Sequence, residues 1–178
     1  MSKFYTGLGD MGYCSMGASK VRKDDNIINA IGDIDELNTL IGVAISKDKN
    51  MRFKERLSII QNNLFIIGAQ LASLIDPMLS LKRSISKEDT VKIESYIEEY
   101  AAQIGSLQKF VLPGGTELGA TLHHARSVAR RAERSVVSIN LDIDKNVLAY
   151  LNRLSSILFM MALYSNKCEN YTESNPTY

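Results

Sequence analysis

The chain has 178 residues, 45% hydrophobic and 23% charged, which suits one globular domain spanning residues 1–178 and leaves little room for a second core. Lys and Arg number 21 against 20 for Asp and Glu, so the net charge of +1 excludes bulk attraction to nucleic acid or to an anionic membrane. Cys14 and Cys168 are isolated, which excludes a disulfide scaffold or structural zinc site and fits reduced thiols in the cytoplasm.

The N-terminus is polar and glycine-rich, unlike a charged-then-apolar leader, and no apolar run approaches the roughly eighteen residues of a membrane span. Its first feature is YTGLGDMG, residues 5–12, in which Gly7, Gly9 and Gly12 spell G-x-G-x-x-G. That fingerprint binds a dinucleotide only between a buried strand and a helix start. Here Phe4 and Tyr5 are too few for a core strand, and the next helical pattern begins well beyond Gly12. What remains is a glycine-rich loop over residues 5–23 whose backbone N–H groups can wrap an anion.

Five helices follow. Ile27, Ile31, Ile34, Ile41 and Ile45 form a stripe from about Asp24 to Ser46. Phe53, Leu57, Ile60, Leu64, Ile67, Leu71 and Leu74 alternate spacings of four and three, the pattern of a coiled-coil-like seam. Ser86 caps a third helix that carries Ile93, Ile97, Tyr100 and Ile104 up to Gly105. After the break at Pro113-Gly114-Gly115, Thr116 caps a fourth, with the small seam Leu118, Leu122, Ala125, Ala129, Ala132 and Val136. The fifth runs from about Asp144 to Lys167 and is apolar on two sides, which predicts a central or interfacial position. No alternating strand is expected, and the polar tail, residues 169–178, is expected to fray. The fold class is all-α, a five-helix bundle with structured loops at residues 5–23 and 105–116.

The chemistry concentrates in RSVARRAER, residues 126–134. Arg126, Arg130 and Glu133 fall within about 60° on a helix and flank the small seam. They read as a solvated Arg/Glu face, as an anion clamp that grips phosphate oxygens bidentately, or as a nucleic-acid patch. The near-zero net charge disfavours the last. Asp35 borders the apolar stripe of the first helix, where it can meet an arginine such as Arg126. Asn38 projects among isoleucines and requires a buried hydrogen-bond partner. Asn152 and Arg153 can reach a ligand or cap neighbouring backbone. His123 and His124 have no Glu three residues earlier, so they read as solvated or loosely packed histidines and not as metal ligands. Phe110, beside the Pro-Gly-Gly turn, either anchors the loop or presents a ring to a flat ligand.

The order YTGLGDMG, KVRKDD, GDIDELN, KFVLPGG, RSVARRAERSVV and AYLNRLSSILF resembles the PduO-type ATP:cob(I)alamin adenosyltransferases over about residues 4–167. The resemblance implies a homotrimer with active sites between subunits, MgATP as one substrate and a reduced corrinoid as the other. It also implies transfer of the 5′-deoxyadenosyl group to cobalt with release of triphosphate. By the same resemblance, Thr6, Gly7, Leu8, Gly9, Cys14, Ser15 and Lys23 surround ATP from the loop, which closes over it. Arg130, Arg131, Ala132, Glu133, Arg134 and Asn152 meet it from the bundle. Arg130, Glu133, Arg126 and Asp35 are the implied catalytic set, with Asp35 and Arg126 as an intersubunit ion pair near the corrinoid. Phe110 matches the ring that keeps the lower axial ligand off cobalt. A resident metal site is not implied, since Mg2+ arrives with ATP; a corrinoid reductase and a cobalamin-dependent enzyme are the implied partners. The chain departs from the family pattern at Gly7, Leu8, Tyr13 and Cys14. The alternative is a non-catalytic helical oligomer that handles corrinoid or binds a partner.

Overall fold

The computed structural model describes residues 5, 7–107 and 109–177, so Thr6, one of the implied ATP contacts, lies outside the described residues. Five helices follow a short hairpin: β1 (Tyr13–Met16), β2 (Ser19–Arg22), α1 (Asn26–Lys47), α2 (Lys54–Ser73), α3 (Lys87–Ile104), α4 (Glu117–Val137) and α5 (Lys145–Cys168).

Capping chemistry sets most of these boundaries. Asp25 accepts from Ile27 N at 2.8 Å, Thr116 Oγ1 from Gly119 N at 3.0 Å, and Asp144 from Asn146 N at 2.9 Å, each satisfying a donor at a helix start. At α3, Ser86 N donates back to Asp89 Oδ2 at 3.0 Å, and Gly105 ends the helix at a φ of 86°. Phe53 precedes α2 without a side-chain cap; the buried Asp48 does that work, accepting from Arg52 N, Phe53 N and Lys54 N.

Ion pairs reveal how the helices run. Lys47 meets Glu117 at 3.0 Å and Arg131 meets Asp33 at 3.0 Å, so α1 and α4 are antiparallel. Hydrogen bonds from Asn152 to Glu133 at 3.0 Å and from Thr116 N to Asn166 at 2.9 Å together make α5 antiparallel to α4, and the ion pair of Arg153 with Glu94 at 2.7 Å joins α5 to α3. One end of the bundle therefore gathers the start of α1, the end of α4 and the hairpin; the other gathers the start of α4, the end of α5 and the Phe110 loop.

The core runs through the small seam. Leu122, Ala125, Ala129 and Ala132 of α4 are fully buried, as are Leu151, Leu154, Leu158 and Ala162 of α5. Alanines let the two helices approach closely, and enlarging one of them would overpack the seam by about 1–3 kcal/mol. Tyr150 is buried with its hydroxyl accepting from Asn63 Nδ2 at 3.1 Å, and burial pushes its ionisation far above the ordinary range. By length and mean hydropathy α5 could cross a membrane, although its longest uninterrupted apolar run is only Ile157–Tyr164; most of its apolar residues are packed into the bundle, the first of the two positions expected for it.

Three expectations change. First, residues 13–22 form an antiparallel hairpin with Tyr13 opposite Arg22 and Met16 opposite Ser19. Its two-residue turn leads with Gly17 at a φ of 59°, where glycine avoids the Cβ penalty. Neither strand has a fully buried face: β2 alternates half-buried and exposed residues, but its half-buried positions are Ser19 and Val21, so no apolar alternation marks it in the sequence. Second, the tail does not fray freely: Leu112 N donates to Ser174 O at 2.7 Å, and Asn175 Nδ2 to Phe110 O at 2.8 Å. Third, Asn38 is buried as expected, yet its Oδ1 has no partner among the described residues; it is its backbone oxygen that accepts, from Gln61 Nε2 at 3.0 Å.

Candidate active site

A cleft of about 720 Å³ opens between α3, α4, α5 and the loop that follows α3. Leu107, Phe110, Val111 and Pro113 form its loop wall, Phe159 and Met160 of α5 its floor, and His123, Arg126 and Arg130 of α4 its polar side. Arg126 lies over the Phe159 ring at 5.5 Å from the centroid, a cation–π contact that holds the guanidinium against an apolar surface. Phe110 is 80% exposed, so a large aromatic ring stands at the cleft mouth with little protein to cover it. The arrangement suits a large, flat, mostly apolar ligand beside an anionic group.

The Phe110 wall is built from the far end of α5. Asn166 is fully buried; its Oδ1 accepts from Thr116 N at 2.9 Å and Thr116 Oγ1 at 3.0 Å, while its Nδ2 donates to Gly114 O at 3.0 Å and Glu173 at 2.9 Å. A Cβ on Gly119 would lie 2.0 Å from that side chain and one on Gly115 2.3 Å, so both glycines are sites of close approach.

Of the two histidines expected to be solvated or loosely packed, His124 is exposed, whereas His123 is buried and not solvated. It is 3% exposed, its ring centroid lies 5.8 Å from that of Phe159, and neither nitrogen has a hydrogen-bond partner among the described residues. Burial, and then the Arg126 charge, hold its pKa below the ordinary value and favour neutral imidazole. The spacing i, i+3, i+7 of His123, Arg126 and Arg130 puts the three on one stripe, a signal present in the sequence.

The arginine stripe divides by position. Arg130 reaches the cleft, and Arg134 is exposed a turn beyond it. Arg131 is committed to α1: its Nε donates to Asp33 Oδ1 at 3.0 Å and its Nη2 to Glu36, and first Glu36, then Asp33, raise its pKa above the usual arginine value. Ser135 also donates to Asp33. The α1 carboxylates that meet α4 within the chain are thus Asp33 and Glu36, flanking the exposed Asp35. No ion pair joins Asp35 to Arg126 among the described residues, because the two helices turn Asp35 outward. Ala132 is fully buried in the seam, so its side chain packs into the core between the flanking Arg131 and Glu133. Glu133 accepts at Oε1 from Asn152 Nδ2, and Arg153 Nη1 donates to Asn152 Oδ1 at 2.6 Å, so these α5 residues bond one another and α4 directly.

The glycine loop sits at the bundle end where α1 begins. Gly7 and Gly12 adopt φ of 71° and 78°, and the N–H groups of Asp10 and Gly12 are taken by turn bonds to Gly7 O and Gly9 O. Two of the expected anion donors are thereby spent within the loop. Leu8 is 70% exposed on it. Lys23 N donates to Gly12 O at 2.9 Å, and its ammonium lies 3.0 Å from where a Cβ on Gly9 would fall. Cys14 Sγ contacts Val21 O at 3.7 Å across the hairpin, and Ser15 stands exposed two residues from the turn. The glycine loop and the Phe110 wall lie at opposite ends of the bundle, and the cleft runs between them along α4 as far as Arg130.

A family model described as cobalamin adenosyltransferase matches residues 4–165. A corrinoid adenosyltransferase of Citrobacter freundii is 37% identical over 165 residues, covering 91% of this chain and 94% of its own. One of Bacillus subtilis is 36% identical over 170 residues, covering 92% and 86%. A solved variant of the PduO-type ATP:corrinoid adenosyltransferase from Lactobacillus reuteri, complexed with cobalamin and ATP, superposes with a TM-score of 0.91 at 34% identity, covering 99% of this chain and all of that one. A helical bundle with this cleft, this arginine stripe and this likeness belongs to the cobalamin adenosyltransferase family.

Proposed function

We infer that the chain transfers the 5′-deoxyadenosyl group of ATP to the cobalt of cob(I)alamin, yielding adenosylcobalamin and triphosphate. Co(I) is the nucleophile: its electron pair forms the Co–C5′ bond while the C5′–O bond breaks and the pair leaves with triphosphate. The protein therefore needs no nucleophilic side chain of its own. Its task is to align the two substrates and to stabilise charge on the leaving group.

The observation that carries this reading is one cleft shared by two rings, Phe110 and Phe159, and two guanidinium groups, Arg126 and Arg130. The rings suit the corrin face. Arg130 and Arg134, with Lys23 from the loop, suit the triphosphate, since guanidinium groups grip phosphate oxygens bidentately and stay charged. Arg131, held by Asp33 and Glu36, supports the stripe from behind. Glu133, steered by Asn152, orients Arg130 or a water on Mg2+. Gly7, Leu8, Gly9, Cys14 and Ser15 cover the nucleotide.

Mg2+ enters with ATP and neutralises phosphate charge. Bound with ATP, the ion would be carried mainly by phosphate oxygens and water, with the Glu133 carboxylate as the hard oxygen donor alongside. The glycine loop and the Phe110 wall of the cleft lie at opposite ends of the bundle, which supports an active site shared between subunits of a homotrimer, the loop of one facing the cleft of the next. In that assembly the outward Asp35 pairs with Arg126 across the interface. The free thiols of Cys14 and Cys168 support a cytoplasmic setting, where a reductase supplies Co(I) and a cobalamin-dependent enzyme takes the product.

The test mixes the protein with ATP, Mg2+ and chemically reduced cobalamin and follows the optical change as the cobalt–carbon bond forms. ATP-dependent formation of adenosylcobalamin is expected; its absence would overturn the reading.

A further inference from the structure

The segment joining α2 to α3 holds a buried carboxylate with no role in the site described above. Asp76, in LIDPM, is 6% exposed. Its Oδ1 accepts from Met78 N at 3.0 Å, closing a local turn at the end of α2. Its Oδ2 reaches 58 residues back along the chain to accept from Ala18 N, in the turn of the β-hairpin, at 2.8 Å. Among the described residues Asp76 has no Lys or Arg partner, so these two backbone donors are the counterweight to burying its charge.

The hairpin is shaped to receive it. A Cβ on Gly17 would fall 2.1 Å from Asp76 Oδ2 and 3.3 Å from Leu79 Cδ2, so the turn backbone lies directly against the carboxylate. Elsewhere no residue of either strand is fully buried, and Tyr13, Cys14, Met16, Ser19 and Val21 are only half-buried, so the buried Asp76 is the firmest hold on the turn. From Ala18 the register is rigid in both directions: β1 carries Ser15 and Cys14, and β2 leads to Lys23, which bonds Gly12 and lies over Gly9.

We propose that Asp76 is a positioning residue for the nucleotide: by gripping the hairpin turn it fixes the angle at which Gly9, Ser15 and Lys23 are presented to ATP. This rests on the reading that the N-terminal loop covers ATP. Without the latch the hairpin pivots about its junction with α1, and ATP must order it on binding. The nucleotide site weakens, whereas the Phe110 cleft at the other end of the bundle does not.

The experiment compares Asp76→Ala, Asp76→Asn and Gly17→Ala with the unaltered protein, measuring KM for ATP, KM for cob(I)alamin and the melting temperature. Loss of a charge-assisted hydrogen bond predicts an ATP KM raised about tenfold in Asp76→Ala, with the corrinoid KM within about twofold. Asp76→Asn, which keeps an acceptor oxygen, should fall between. Gly17→Ala should raise the ATP KM alone, and the double variant Asp76→Ala/Gly17→Ala should be less than additive, because both substitutions open one contact. A purely structural role would lower the melting temperature and leave the ratio of the two KM values unchanged; that result, or an unchanged ATP KM, overturns the proposal. If Asp76→Ala does not fold, Gly17→Ala decides by the same ratio. Failure of the unaltered protein to form adenosylcobalamin overturns the functional reading together with the proposal, whereas an active protein with an unmoved ATP KM in the variants overturns the proposal alone.

Discussion

Asn152 donates its Nδ2 to Glu133 Oε1 at 3.0 Å, so the carboxylate set among the arginines of α4 is steered from α5. Arg153 Nη1 holds the other end of the same amide at 2.6 Å, and Arg153 is itself anchored on Glu94 of α3. Three helices thus converge on the orientation of one acidic group. Asn152→Ala should lower kcat/KM by about tenfold, and Glu133→Gln by at least as much. The double variant should be no slower than the worse single one, because the asparagine acts through the glutamate. Additive losses would separate the two residues.

Arg130 is exposed along the cleft while its neighbours on the seam are buried, so its charge is available to a ligand and its removal leaves the core intact. Arg130→Ala should lower kcat/KM by about a hundredfold or more, the scale of losing a fixed donor to a developing anion. The melting temperature should stay within about 2 °C. Arg130→Lys should recover only part of the rate, since an ammonium cannot make the bidentate contact. A fully active alanine variant would remove the stripe from the mechanism.

Phe110 and Asn166 separate ring chemistry from loop support. Phe110→Ala should keep ATP binding, read as an unchanged thermal shift with MgATP, and lose turnover when cobalamin is supplied as Co(II) with a reductase. Asn166→Ala leaves Thr116 N and Gly114 O, both half-buried, without their partner and should cost about 1–2 kcal/mol, seen as a lowered denaturant midpoint. It should also reduce reductase-coupled turnover, because the turn that leads from Phe110 into α4 is released. A normal midpoint in Asn166→Ala would contradict this hub.

His123 predicts a pH dependence of stability. In the folded chain burial holds its pKa below the ordinary 6.5, so between the two values the unfolded chain binds more protons. The contribution is complete above the unfolded value and is lost as pH falls below it, because the buried ring must then charge. Urea midpoints compared at about pH 7.5 and about pH 5.5 should drop in the unaltered protein and drop less in His123→Leu. Equal drops would assign the dependence to other groups. Removal of Mg2+ should leave these midpoints alone, since no metal cluster supports the fold among the described residues.

Local signals made the helices legible. Asp25, Ser86, Thr116 and Asp144 mark helix starts, Gly105 and the Pro113-Gly114-Gly115 break mark the gap before α4, and the apolar spacings of three and four lie between. These are short-range effects of backbone donors and side-chain periodicity, and each can be judged without knowing what lies across the core. The α2 start at Lys54 was less plain because its cap, Asp48, acts from six residues away. The hairpin is not legible in the sequence because its strands are only four residues long and half-buried at most, with Ser19 on the inner face of β2, so no apolar alternation marks them.

The sequence by itself determined the five helices, the concentration of arginines on one face of α4 and, through its ordered motifs, the family. Only the tertiary structure decided that Arg131 is taken by Asp33 and Glu36 while Arg130 is left for the cleft, that His123 is sealed beside Phe159, and that Asp76 holds the hairpin turn. Helical periodicity places a residue on a face of its own helix. Which neighbour it meets depends on how far each helix is rotated and slid against the next, and that is set by the packing of the whole Ala-rich seam at once.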